Sequence, residues 1–330
     1  MSTIFEDDAE LAGFHQRLQH PDSAVRRIAV LDLADRDGDE HAPLFVAALR
    51  DADAAVRAEA ARALEAFESP EGVAGLVALL TDEDDEVREA AAQTLTELKN
   101  PASAAVLLPH AAHPDAFVRI AVLRAVRELR AGGNFSPALA ALNDSDAAVR
   151  REAVAVLGYL KQPDALPALT RLVSHDADAE VRRAAVGALA YAGTGDHTQP
   201  ALAALLDGLR DAAWQVREEA ATTLGKLALP QQGAQQAGGA LVIALEDAYW
   251  QVRLRAVRSL GRLRHAAALE ALVATLSHSI SNLRKEAALA LGELGDAAAL
   301  PALGAAAEDS DPEVRKSARL ALSQIQGVQR

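Results

Sequence analysis

The sequence predicts an all-α fold in which about ten short helix pairs stack side by side. Three observations carry this. First, a Val-Arg step preceded by a small acidic turn recurs as DSAVR at 22–26, DAAVR at 53–57, DDEVR at 84–88, DAFVR at 115–119, DAAVR at 146–150, DAEVR at 178–182 and DPEVR at 311–315. Degenerate copies end at Arg217, Arg253 and Arg284, and six of the nine intervals between successive arginines are 31 residues, which is the register of a repeat protein. Second, each arginine lies within an apolar stripe at i, i+4, i+8: the residue before it, one three residues on (Ala29, Ala60, Ala153, Ala256) and one seven on (Leu33, Leu64, Leu157, Leu260). Third, no stretch carries a usable strand signal.

The elements follow in order. The first helix of the first repeat is expected near residues 9–19. The aspartate four residues before each arginine reads as the N-cap of the second helix, and Pro312 directly after Asp311 suits a first helical turn. The stretches at 42–49 (APLFVAAL), 166–173 (LPALTRLV) and 300–307 (LPALGAAA) read as first helices, with a proline tolerated near the start. One such pair cannot bury its own apolar face, so neighbours must stack. Two insertions, GTGDHTQP at 193–200 and PQQGAQQAGG at 230–239, have the composition of loops. The expected organisation is one solenoid domain over residues 1–330.

Composition narrows the function. The chain has no cysteine, which removes disulfide and thiolate chemistry. The N-terminal stretch lacks a basic n-region and an apolar h-region, and no run is apolar for 18 residues, so a cytoplasmic protein without membrane association is expected. The formal net charge of −14 disfavours nucleic acid as a partner.

The DxxVRxxAxxxL core, with Leu-Pro-Ala-Leu opening the partner helix, resembles the short HEAT-like repeats of bilin lyase subunits. The resemblance covers nearly the whole chain. It implies a right-handed α-α superhelical solenoid whose second helices line the concave face. Such repeats serve many roles, so the implied function is open: a non-catalytic scaffold, or a subunit that attaches a bilin or related chromophore.

Departures from the repeat mark candidate function. The cap aspartate is replaced in three consecutive repeats by Ala213, Tyr249 and Ile280. Asp211 and Asp247, two residues earlier, offer an alternative cap for a helix half a turn longer. The cap aspartates are also expected to pair with repeat arginines, which leaves Arg217, Arg253 and Arg284 as candidates for lacking a partner. All five tryptophans and tyrosines (Tyr159, Tyr191, Trp214, Tyr249, Trp250) fall in one stretch of the chain. Tyr159 and Tyr191 occupy the same position in adjacent repeats, beside Ala155, Ala184 and Gly187, where a large ring makes a shallow pocket. Trp214 and Trp250 each sit three residues before an arginine, where ring and guanidinium can stack as a matched pair. Plain packing is the alternative, the more so for the tryptophans, which can fill space above the core at the inter-helix turn.

The segment at 253–265 holds five arginines and no acid. Arg255, Arg258 and Arg262 share one helix face, to be met by an acidic partner or internally by Glu219 and Glu286. His20, His113 and His278 share the slot six residues before the repeat arginine, otherwise held by aspartate, and read as turn residues.

Sites for chemistry are not found. No His-Glu dipeptide occurs, which argues against the deoxyhypusine hydroxylase branch of HEAT-like proteins, whose iron site is similar to paired His-Glu motifs. His110 and His113 lack a matching carboxylate, and the acidic stretch at 35–40 lacks the spacing of a calcium loop. No Walker, GxSxG or GxGxxG motif is present. The sequence therefore reads as a protein-binding scaffold or assembly factor without metal or cofactor. Its partner is expected to be a protein or peptide with acidic groups, held at Tyr159, Tyr191, Trp214, Tyr249, Trp250, Arg255, Arg258 and Arg262.

Overall fold

The regular repeats turn on the aspartate four residues before their arginine. Asp53 has extended backbone, and its side chain accepts from the N–H groups of Ala55 and Val56, opening the helix Ala54–Ala63. Asp84 and Asp178 do the same for the helices Asp85–Thr96 and Ala179–Ala188, and Asp22 accepts from the Ala24 N–H at the start of Ser23–Ala34. The expected stripe is buried, as with Val56, Ala60 and Leu64 in repeat two and Val216, Ala220 and Leu224 in repeat seven, while Val25 and Leu322 in the end repeats are partly exposed.

This is a computed structural model, and it describes residues 12–36, 41–129, 131–193 and 195–328. The acidic stretch at 37–40 and residues 9–11 of the expected first helix lie outside the described residues, while 12–18 are helical. All regular structure among the described residues is helical, so the fold is the all-α stack of helix pairs that the repeat register implies. Contacts gather into two bodies, Met1–Leu160 and Lys161–Arg330. In the first, the second helices Ser23–Ala34, Ala54–Ala63, Asp85–Thr96, Ala116–Leu129 and Ala147–Leu160 stack in sequence order. In the second, Ala179–Ala188, Trp214–Leu224, Trp250–Leu263, Ser281–Leu294 and Pro312–Val328 do so.

A ladder of ion pairs joins successive second-helix turns. Arg57 donates from Nε and Nη2 to the two carboxylate oxygens of Asp82 at 2.8 and 2.7 Å. Its Nη1 closes its own turn on the carbonyls of Asp51 and Ala52. Asp82 also accepts from the N–H of Asp84 at 3.0 Å, so one carboxylate fixes both a turn and a neighbour. The same relation links Arg26 to Asp51, Arg119 to Asp144, Arg182 to Asp211, Arg217 to Asp247 and Arg284 to Asp309.

This corrects three expectations. The acid that pairs with the arginine is the one six residues before the next arginine, not the cap aspartate. Asp211 and Asp247 belong to that column; they do not cap longer helices, which start at Trp214 and Trp250 with no side-chain cap bond from Ala213 or Tyr249. Of the three arginines named as candidates for lacking a partner, Arg217 and Arg284 have one.

The second insertion is not a loop. Residues Gln231–Ala244 form one helix, consistent with the good helix propensity of Gln and Ala. Two of its three glycines sit at packing contacts: a Cβ on Gly233 would lie 3.2 Å from Leu202, and one on Gly238 would run into the His265 ring, whereas Gly239 has open space there. Of the first insertion, Thr198 onward belongs to the helix Thr198–Gly208.

Candidate functional site

The aromatic residues assemble where the caps are lost. Trp214 is the first residue of its helix and Tyr249 is the cap residue of the next repeat. Their rings stack with centroids 5.3 Å apart and planes 13° apart. Arg217 lies over the same tyrosine ring at 5.7 Å while its guanidinium grips Asp247 at 2.6 and 3.0 Å. That hydrogen bond drives the Arg217 pKa further up. The Asp247 carboxylate in turn accepts from the Tyr249 N–H at 2.9 Å, so the ladder acid sets the backbone that carries the ring.

The expected matched pair of tryptophans is therefore replaced by a Trp214–Tyr249 stack. Helical spacing brought Trp214 near its own arginine in sequence, but the cross-repeat neighbour is the ring that fits. In the column of Tyr249, the next repeat holds Ile280, so no aromatic residue stands in that place for Trp250. Tyr249 and Trp250 remain 45% and 37% exposed, and Ile243, which sequence reasoning did not single out, is 75% exposed.

The arginine face is largely answered from within. Arg255 donates to Glu218 at 3.0 Å, a neighbour of the Glu219 that register suggested. Arg258 donates twice to Glu286, at 3.1 and 2.5 Å, which pushes its pKa up. Glu286 is buried, so this pair is structural in character. Arg124 and Glu152 repeat the relation in the first body at 2.9 Å. Arg262 is exposed and makes none of these bonds.

The tyrosines are less free than their register suggested. Tyr191 lies in a short 3-10 turn, Leu189–Tyr191, rather than on a long exposed helix face. It is half-buried, its hydroxyl donates to the Gln162 carbonyl at 3.1 Å, and burial pushes its pKa up to about 12. Tyr159 is half-buried in the first body, at a depression with Leu98, Lys99, Arg127 and Glu128. Tyr159 belongs to the first body and the other seven candidate residues to the second.

Sequence reasoning passed over the place where the ladder breaks. The acid column holds histidine at three positions, His20, His113 and His278, and the last two follow a repeat that needs a carboxylate for its arginine. Each of these two keeps the turn, since Nδ1 accepts from the N–H of Asp115 at 3.1 Å and of Ile280 at 3.0 Å. Neither supplies a carboxylate to the preceding arginine. Arg88 finds Asp85 and the Phe117 ring instead. Arg253 keeps only its own turn carbonyls, and its buried Nε has no partner. The signal was present in the sequence as the histidine column; the role of the column was not.

No group of three or more histidine, aspartate and glutamate side chains is placed to hold a metal ion among the described residues. No described helix is long and apolar enough to cross a membrane.

Comparison with known proteins agrees with this architecture. The family profile for HEAT repeats matches residues 11–95, 73–133, 135–225 and 239–323. No curated protein matches the chain. Among solved structures, an engineered protein is 24% identical, with 95% of this chain and 98% of that one aligned at a TM-score of 0.56. YibA of E. coli is 21% identical over 88% of this chain and 98% of its own, at 0.58. Importin beta is 16% identical over 94% of this chain but only 50% of its own length, at 0.66. At these identities the likeness concerns the fold alone. The finer likeness to bilin lyase subunits rests on the sequence motif.

Proposed function

Because the chain belongs to the HEAT-repeat family, we propose that it is a non-catalytic protein-binding scaffold or assembly factor. The observation that carries the reading is the aromatic edge of repeats seven and eight. There Tyr249 replaces the aspartate cap, Trp214 and Trp250 stand at a first helical position that is mostly a small residue in the other repeats, and two of the three rings keep more than a third of their surface in water. A monomer gains little by exposing such rings, whereas interfaces are enriched in them. Arg262, exposed on the helix that Trp250 opens, favours a partner with acidic groups. Support by analogy comes from Kap95p, matched over 96% of this chain at a TM-score of 0.62, whose binding induces the switch loops of RanGDP to adopt the GTP-bound conformation.

The test is site-directed photo-cross-linking in cells that make the protein. A photoreactive residue replacing Trp250 should give a discrete adduct with one partner. The same residue replacing Leu320, which is 50% exposed on the last helix, should not. Adducts of equal yield from both positions would mean that the aromatic edge is not the binding face.

A further inference from the structure

The break in the ladder at Arg253 opens into a groove. Its walls are formed by Val242, Ile243, Leu245, Arg253, Ala274 and His278, among others, and it measures about 610 Å³. That is room for several side chains. We propose that this groove receives an aspartate or glutamate side chain from an acidic segment of a partner protein, its carboxylate taking the Arg253 guanidinium in the way a ladder aspartate does.

Arg26, Arg57, Arg119, Arg182, Arg217 and Arg284 each hold a complete rung. In each, the guanidinium lies against the carboxylate one repeat on, as Arg57 does against Asp82 with two parallel bonds. Arg253 closes its own turn as the others do, through Nη1 on the Asp247 and Ala248 carbonyls. Its Nε is buried without an acceptor and, unlike the Nε of Arg119, which stands 2.7 Å from an Asp144 oxygen, has no carboxylate within ion-pair distance among the described residues. An unpaired buried donor on a charged group costs free energy that an incoming acceptor recovers.

The groove of repeats four and five is the internal control. It is lined by the equivalent residues, but Asp144 stands in the place of His278 and reaches Arg119 at 2.7 Å. There the chain supplies its own carboxylate. Arg88, whose ladder position also faces a histidine, is satisfied by Asp85 and Phe117. The residues in those two positions for Arg253 are Trp250 and Asn282, and neither supplies a charge.

His278 adds to the preference for an anion. Its Nδ1 accepts from the Ile280 N–H, so Nε2 carries the ring proton and the side chain offers the groove a donor. The walls then select the source. Ile243 is 75% exposed beside Val242 and Leu245, which suits a peptide with an apolar residue next to its acid. Glu246, on the rim and exposed, is the one acid among the lining residues and faces open solvent.

The proposal rests on the protein-binding reading above, but its test reads Arg253 directly. Nitrogen-15 spectra of the full chain follow the Arg253 Nε–H while a capped Ala-Leu-Asp-Ala tetrapeptide is added. The expected result is a saturable shift, with the Asn counterpart binding roughly tenfold more weakly or worse. His278→Asp supplies the missing rung from within; it should move the Arg253 resonance without peptide and abolish the titration. Arg253→Gln should abolish it too. Equal binding of the Asn peptide, a titration that survives in His278→Asp, or an identical saturation by sodium acetate would each overturn the proposal, the last because the groove would then take any small carboxylate. Such a failure removes this groove and leaves the aromatic edge to its own cross-linking test.

Discussion

Trp214 lies flat on Tyr249, a residue of the following repeat, with 5.3 Å between ring centroids. The contact stands where a regular repeat has an aspartate cap, so an aromatic joint replaces a polar one at the seam between two turns. The replaced cap had satisfied backbone N–H groups; the joint instead adds apolar contact across repeats.

A double-mutant cycle measures that joint. Trp214→Ala and Tyr249→Ala should couple by about 0.5–1.5 kcal/mol, the usual worth of an aromatic pair beyond area. Urea unfolding of the two single variants and the double variant gives the number. Strict additivity would mean that the rings are neighbours without an interaction.

The ladder should matter more than the caps. Asp146→Ala removes one cap, worth about 1 kcal/mol. Asp82→Ala breaks two bonds from Arg57 and one from the Asp84 N–H while leaving the guanidinium mostly buried, so it should cost roughly 2–3 kcal/mol. Denaturant midpoints of the two variants in parallel decide the order.

Acid should dismantle the ladder. Burial alone would raise the Asp82, Asp144, Asp211 and Asp247 carboxyls, but the arginine and backbone bonds outweigh it and hold them below the ordinary aspartate value. Asp309, held chiefly by Arg284, falls to about 2. A carboxyl whose pKa is lower in the folded state contributes stability above its unfolded pKa, and that contribution is lost as pH falls through the folded value. Stability from these pairs should thus be complete above the ordinary aspartate value of about 4 and be lost as pH falls below it, down to about 2 for Asp309. Melting temperature against pH checks this, and Asp309→Asn should flatten the lower part of the curve.

The fold was legible because it is written ten times. The cap aspartate, the apolar stripe and the arginine each recur at fixed spacing, and each does locally what its residue type dictates. The ladder was only half legible. The column of Asp51, Asp82 and Asp144, interrupted by His113 and His278, was visible as a turn column. Its second partner lies 25 residues back, a distance set by stacking and not by helix period. For the same reason the Trp214–Tyr249 stack and the Glu218 partner of Arg255 escaped a reading based on i, i+3 and i+4 neighbours. The insertion at 230–239 misled because glycines that serve close packing look like glycines that break a helix.

Those close approaches are testable at Gly261. A Cβ there would stand 2.8 Å from the Ala290 Cα in the next helix. Backbone cannot yield as a side chain does, so Gly261→Ala should destabilise by roughly 1–3 kcal/mol despite the better helix propensity of alanine. Gly304→Ala, with open space at its Cβ, should be neutral or stabilising. Thermal unfolding of both variants separates packing from propensity.

The arginine face divides into a structural part and an open part. Arg258 neutralises Glu286, whose side chain is only 10% exposed. Arg258→Glu would place a second carboxylate beside a buried one, so it should cost roughly 2–3 kcal/mol. Arg262 is exposed, and Arg262→Glu should change stability by no more than about 0.5 kcal/mol. If the aromatic edge meets an acidic partner, Arg262→Glu should nevertheless weaken the complex and flatten its salt dependence, because it removes a screened surface attraction. Stability and binding should therefore respond in opposite order to the two reversals. A stable Arg258→Glu protein would mean that Glu286 has another route to solvation. A complex indifferent to Arg262→Glu would remove the acidic character assigned to the partner at this edge.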